Sequence, residues 1–472
     1  MWNSGTIAEL LGGTLYGSPT VPFRGCAIDS REVQPGEMFV ALVGEKTDGH
    51  KFIPNALTAG AGMVLAERQR LEMYGNFELS FSQALIVCEN SLASLQKLAK
   101  YWRQKLNCPV IGITGSSGKT TTKDMVAAVL AQKYRVHSNL ENQNNELGLP
   151  LTILRAPEGT EVLVLEMGMR GLGQIAELCT ISGPNYGIIT NIGTTHLELL
   201  GSQENIARAK WELIDSLPAE GTAILNADDY YSVKKAETVG INKFFYGIEG
   251  KYVKPDVCAS AVCPEGLSST SFTVTIKGES WPVKLPLPGD HNVLDALAAL
   301  AAGYVCGVPL EDGARALESL RLSKMRLEFL PGLFGSTLIN DVYNANPASM
   351  IASLKVLAER GGDNTIAVLG EMYELGEMTQ AGHREVGQAV AELGIKQLVT
   401  VGKLAEDIAQ GAWDTGYPQS RTHVCADCEQ AVDVLQRLLR QSKTGAWVLI
   451  KGSRGMKMER ISEKIKERNN RG

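Results

Sequence analysis

Apolar and polar positions change period several times along the chain, and each change marks a new unit. A short helical pattern at residues 6–11 gives way to brief strand-like runs between glycine turns. Leu92, Leu95, Ala99, Trp102 and Leu106 then recur at helical spacing, and Asn107-Cys108-Pro109 closes that helix. A domain boundary near residue 107 follows. Beyond it, strand-like runs at 110–113, 161–165, 186–190 and 222–225 alternate with helical stretches, the pattern of a mostly parallel sheet covered on both faces. Residues 250–288 are β-rich and punctuated by proline, which predicts an antiparallel edge, and a helix at 291–304 restores the alternation. From about residue 323 a third α/β unit begins, with strands expected at 337–340, 365–369, 397–401 and 446–450. The expected domains are 1–106, 107–322 and 323–472.

Composition supports this α/β reading. The 472 residues suit about three domains, and 49 glycines with few aromatics fit alternating strands and helices better than a sandwich or a bundle. With 46 basic and 52 acidic side chains the net charge is −6, which offers no net attraction for nucleic acid. The N-terminal stretch lacks a basic segment followed by an apolar core, and no run approaches 18 apolar residues. A soluble cytoplasmic protein without membrane insertion is expected, as is a monomer. Nine scattered cysteines suit a reducing compartment. Cys425 and Cys428 have metal-ligand spacing, but His423 alone does not complete a zinc site.

The chemistry begins at residues 114–122, TGSSGKTTT, between a strand pattern and a helix pattern. Gly115, Ser116, Ser117 and Gly118 form a turn whose backbone N–H groups and helix dipole favour an anion. Lys119 supplies a cation for the β- and γ-phosphates of a nucleotide, Thr120 a hydroxyl for Mg²⁺, and Thr121 extends the loop. Five residues before Gly118 stands Ile113, not glycine. That departure points away from motors and small GTPases and towards ligases with a shorter loop.

Glu166 ends a buried strand pattern, where a carboxylate meets nucleotide-bound Mg²⁺ or else caps a turn. His196 follows the strand that ends in TNIG, and could be a ligand or merely structural. Lys210 lies on a helix pattern, where its ordinary reading is a surface ion pair with Glu212 or a neighbour. His291, Asn292 and Asp295 have spacings that can share one helical face.

These segments, together with 289–300 (GDHNVLDALAAL), resemble the central domain of the Mur ligases, ATP-dependent amide-forming enzymes of peptidoglycan synthesis. The resemblance implies an N-terminal UDP-substrate domain, a central P-loop ATPase-like domain with a mostly parallel sheet, and a C-terminal Rossmann-like domain. It also implies a carbamylated Lys210, which would join Thr120, Glu166 and His196 around Mg²⁺. Residues 142–150 (NQNNELGLP), 340–350 (NDVYNANPASM), 368–377 (VLGEMYELGE) and 451–461 (KGSRGMKMERI) are similar to the branch that joins D-alanyl-D-alanine to UDP-N-acetylmuramoyl-tripeptide. On that resemblance His291, Asn292, Arg326 and Asp341 approach ATP, while Asp295 stands where asparagine is common. Ser30, Arg31, Asp48, Gly49 and His50, with Asn142, Asn144 and Asn145, would hold the UDP-linked substrate. Asn144, Asn145, Tyr343 and Glu374 are candidates for contacting the dipeptide. Folylpolyglutamate synthase and other Mur-type ligases use similar loops, and a nucleotide switch or motor remains the alternative from another class.

Overall fold

The computed structural model describes residues 2–44, 47–74, 77–140, 143–265, 269–320, 327–442 and 445–467. Arg326 and Asn142, and the expected boundary at 322/323, lie outside the described residues. Three sheets organise the described residues.

The N-terminal sheet has five strands in the order Thr14–Gly17, Ala84–Cys88, Met63–Glu67, Met38–Val40 and Cys26–Ala27, parallel except at the first pair. Helix Ser91–Leu106 follows it, capped by the Asn90 side chain accepting from the Ala93 amide. Asn107 ends it in left-handed backbone (φ 48°). This helix also packs on helices Gly148–Arg155 and Gln174–Ser182 of the central region, and Trp102 Nε1 donates to the Ala156 carbonyl at 2.9 Å. Leu95, Leu98 and Trp102 thus join one continuous apolar cluster with Met38 and Ile86 on one side and Leu149, Leu151 and Leu178 on the other.

The central sheet has nine strands. Five parallel strands form its middle and far edge, in the order Thr222–Asn226, Tyr186–Ile189, Val110–Thr114, Val162–Glu166 and Val136–Ser138. Beyond Thr222–Asn226, strand Asn242–Gly247 leads in parallel to Val257–Glu265, and the hairpins through Ser269–Ile276 and Glu279–Leu285 form the antiparallel edge expected at 250–288. Helices Lys119–Leu130, Asp290–Val305 and Leu310–Glu318 cover one face around Val126, Val293 and Leu317. The inner strands, wholly buried and apolar up to their last residue, are what a sheet covered on both faces requires.

Six strands form the C-terminal sheet: Glu328–Pro331, Thr337–Asn340, Trp447–Lys451, Thr365–Gly370, Gln397–Val401 and Thr422–Cys425, parallel apart from the first pair. It carries separate apolar clusters on its two faces. No described helix is long and apolar enough to cross a membrane.

Candidate active site

In parallel sheets, ligands gather at the carboxyl ends of the strands. Here the carboxyl ends of central strands Val110–Thr114 and Val162–Glu166 face those of C-terminal strands Thr337–Asn340 and Trp447–Lys451 across a cleft of about 990 Å³.

The phosphate-loop turn forms one wall. Gly115 (φ 155°) and Gly118 (φ 76°) take backbone that side-chain-bearing residues rarely adopt. A Cβ on Gly115 would fall 1.8 Å from Thr190 Oγ1, and one on Gly118 would fall 2.5 Å from Asp295 Oδ1. The adjacent strand end clamps the turn. Ser116 N donates to Asn191 O at 3.0 Å, Ser117 N to Asn191 Oδ1 at 3.1 Å, and Thr190 Oγ1 to the Ser117 carbonyl at 2.6 Å. Asn191 was within the TNIG motif but carried no predicted role. Asp295 accepts from Thr122 Oγ1 at 2.9 Å, so it ties its helix to the phosphate-loop helix.

Lys119 and Lys210 converge on the loop, each Nζ donating to the Gly115 carbonyl at 2.9 Å. The surface reading of Lys210 is wrong: the residue is 2% exposed. Glu212 instead accepts from the Gly173 and Ala176 amides at the start of helix Gln174–Ser182. Burial, reinforced by the neighbouring Lys119 charge, holds the Lys210 ammonium well below its ordinary pKa.

Glu166 is buried, and both carboxylate oxygens are engaged. Thr120 Oγ1 donates to Oε2 at 2.6 Å and Asn144 Nδ2 to Oε1 at 2.7 Å. Hydroxyl and carboxylate oxygens side by side at a phosphate loop suit a hard divalent cation, with phosphate oxygens and water completing its shell. Among the described residues no three His, Cys, Asp or Glu side chains gather as a metal cluster. The predicted ligand set contains only two such groups, Glu166 and His196, and depends on hydroxyl, carbamate and phosphate oxygens for the rest.

The other wall comes from the C-terminal domain. Lys451 Nζ donates to Asp341 Oδ2 at 2.5 Å and to the Asn344 carbonyl at 3.1 Å, and Ser353 Oγ also donates to Asp341 Oδ2, at 2.7 Å. This nearly buried ion pair faces His291. Burial of the His291 ring lowers its pKa to about 4, against a smaller opposing influence from Asp341. Asn292 Nδ2 donates to the Pro288 carbonyl at 2.7 Å. Two contacts close the cleft: His196 Nδ1 lies 2.8 Å from Glu374 Oε2, and Asn346 Nδ2 donates to Thr195 Oγ1 at 3.1 Å. The pairing with His196 holds the Glu374 carboxyl below its usual range. Asn145, Tyr343, Lys451 and Arg454 also line the cleft; Lys451 and Arg454 belong to the KGSRGMKMERI segment, in which no residue had been singled out.

The N-terminal candidates stand apart, since the described lining comes from the central and C-terminal domains. Arg31 is exposed and its guanidinium pairs with Asp29, whose pKa it lowers to about 2. His50 is fully buried, with Nδ1 at 2.7 Å from Asp48 Oδ1 and Nε2 accepting from the Glu67 amide at 2.9 Å. Both ring nitrogens have internal partners, and the ring orients Asp48. Gly49 sits tightly under Leu42, where a Cβ would lie 2.8 Å from the Leu42 carbonyl oxygen. Ser30 is half-buried.

Three family models match the chain in order: "Mur ligase family, catalytic domain" over residues 22–103, "Mur ligase middle domain" over 113–303 and "Mur ligase, glutamate ligase domain" over 325–454. The chain is 39% identical to the UDP-N-acetylmuramoyl-tripeptide–D-alanyl-D-alanine ligase of Bacillus subtilis, over 98% of this chain and 97% of that protein. A crystal structure of MurF from Acinetobacter baumannii superposes with a TM-score of 0.85 at 29% identity, covering 98% of both chains. The MurF ligase of Thermotoga maritima in complex with ADP superposes at 0.78 with 30% identity, over 93% of this chain and 96% of that one.

Proposed function

This chain belongs to the Mur ligase family, and on that basis we propose that it joins D-alanyl-D-alanine to UDP-N-acetylmuramoyl-tripeptide at the expense of ATP. The product is the UDP-muramoyl-pentapeptide precursor of peptidoglycan, made by a cytoplasmic monomer. The observation that carries this reading is the two-walled cleft, with a triphosphate loop on one side and, on the other, polar groups of the C-terminal domain that reach towards it. A nucleotide switch has no need of a second wall shaped for an acceptor.

The terminal carboxylate of the tripeptide attacks the γ-phosphorus of ATP, giving an acyl phosphate and ADP. Two anions approach each other in that step, so Lys119 and the amides of Gly115–Gly118 must offset their repulsion and stabilise the transferring phosphoryl group. Mg²⁺ held by Thr120 and Glu166, with His196 near the opposite wall, would supply further charge neutralisation. The amino group of D-alanyl-D-alanine then attacks the acyl carbon, and the tetrahedral intermediate collapses with loss of phosphate. Contacts such as Thr195–Asn346 keep the walls together, which excludes water from the acyl phosphate.

Lys210 enters as a carbamate. Its depressed pKa favours the neutral amine, the form that adds CO₂, and the resulting anion would offset the adjacent Lys119 charge. The UDP-linked substrate is bound at the N-terminal domain around Ser30, Arg31 and Asp48. An ADP-release assay coupled to product analysis tests the assignment, with each acceptor omitted in turn. Pentapeptide formation must require ATP, the UDP-tripeptide and D-alanyl-D-alanine together; ADP release indifferent to both acceptors would refute it.

A further inference from the structure

Strand Val136–Ser138 pairs with Val162, Leu163 and Val164 and stops two residues short of Glu166. Asn139 continues the ladder with its side chain. Its Oδ1 accepts from the Glu166 amide at 2.6 Å, and its Nδ2 donates to the Glu166 carbonyl at 3.2 Å. The carboxamide thus stands in for the next peptide unit of the edge strand, presenting one acceptor and one donor to the backbone of a single residue. It is 1% exposed, so water is a poor substitute for either bond.

Asn139 also gathers the surroundings of Glu166. Its Nδ2 donates to the Gln143 carbonyl at 2.6 Å, and its own carbonyl accepts from Lys123 Nζ at 2.8 Å. Lys123 lies one turn into the phosphate-loop helix, while Gln143 precedes Asn144, whose amide holds Glu166 Oε1. One buried residue therefore links all three, its carboxamide holding the strand end and the asparagine loop and its backbone carbonyl the phosphate-loop helix.

We propose that Asn139 is a positioning residue for the reaction: it fixes the backbone of Glu166 so that the carboxylate faces Thr120 and the bound Mg²⁺–nucleotide. The inference rests on the proposed metal role of Glu166. Partners that orient a metal ligand are typically worth roughly 10–100-fold in metal affinity or activity when removed. Substituting Asn139→Ala removes both bonds to Glu166, and Asn139→Asp keeps the acceptor but turns a carboxylate oxygen onto the Gln143 and Glu166 carbonyls.

The test measures five quantities on the full-length protein: the unfolding midpoint, ADP affinity in EDTA, ADP affinity with Mg²⁺, kcat, and KM for the UDP-tripeptide. A positioning role predicts cooperative unfolding and unchanged ADP affinity in EDTA. It also predicts a loss of roughly tenfold or more in the Mg²⁺-dependent gain of ADP affinity and in kcat, with KM for the UDP-tripeptide preserved. Asn139→Asp should lose at least as much as Asn139→Ala, since its carboxylate faces two carbonyl oxygens. Mg²⁺ dependence and kcat within twofold of the unaltered chain overturn the proposal. So does parallel loss of all ligand affinities, or failure of both variants to fold, since either makes the residue structural only. Absence of any Mg²⁺ effect in the unaltered chain would instead strike at the metal reading, and absence of ligation at the functional one.

Discussion

Lys119 and Lys210, 91 positions apart in the sequence, donate to one and the same acceptor, the Gly115 carbonyl, each at 2.9 Å. Burial of Lys210, with the Lys119 charge beside it, holds the Lys210 pKa well below its ordinary value. The two lysines therefore predict different behaviour. Lys119→Ala should leave the fold intact and lower ligation by several orders of magnitude, because a cation directed at the transferring phosphoryl group is lost. Near-normal turnover at saturating ATP would defeat that assignment.

Lys210→Ala should be inactive, yet partly restored by short-chain carboxylates that return negative charge to the vacated space. An exposed ion-paired lysine would cost only about 0–1 kcal/mol and spare catalysis. Activity is to be measured with and without added carboxylate. Full activity with no additive contradicts the carbamate.

At Gly115 the obstacle to any side chain is Thr190 Oγ1, 1.8 Å from the position of a Cβ. Gly115→Ala must displace Thr190, whose hydroxyl holds the Ser117 carbonyl, and so disorders the clamp on the turn. Calorimetry should show nucleotide affinity reduced at least tenfold, while the UDP-linked substrate still binds. Unchanged nucleotide affinity would show that the loop geometry is not what binds phosphate.

Arg31 lies outside the cleft, on a domain with its own sheet. Arg31→Ala should weaken binding of the UDP-linked substrate and spare nucleotide affinity. Titration of each ligand separately decides the point: equal losses, or none for the UDP substrate, count against it.

The His291 pKa of about 4 in the folded protein lies below its value of about 6.5 in an unfolded chain. Between these limits the unfolded state binds the extra proton, so the native state loses stability as pH falls from about 6.5 towards 4. His291→Asn removes that loss. Urea unfolding at pH 7 and pH 4.5 should show the unaltered chain losing on the order of 1–2 kcal/mol more than the variant. Identical losses would mean that His291 titrates normally.

The parts of the site legible in the sequence were those encoded within a few residues. TGSSGKTTT, the strand-end Glu166 and the alternation of strands and helices all declare themselves through local period and turn chemistry, and each lies where that pattern places it. Lys210 does not, because its helix reads as amphipathic and its partner is a carbonyl 95 residues away. Lys451 and Asp341 are separated by 110 positions and meet only because their strands are neighbours in the C-terminal sheet. Asn139 substitutes for a missing peptide unit, which no pattern of hydrophobicity records. At His50 a polar, glycine-containing segment suggests a binding loop, while the fold buries the ring against Asp48, a placement that local sequence does not record.

The apolar cluster that runs from Met38 through Leu95 and Trp102 to Leu149 has a practical consequence for dissecting the protein. Cutting the chain near residue 107, where the sequence changes period, would divide a core rather than a linker. The N-terminal fragment would carry Leu95 and Leu98 on a face stripped of its cover, and the remainder would expose Leu149 and Leu178. Each piece would tend to aggregate. The regions on either side of residue 107 should therefore melt together in calorimetry, whereas the C-terminal sheet, with clusters of its own on both faces, should melt as a separate transition.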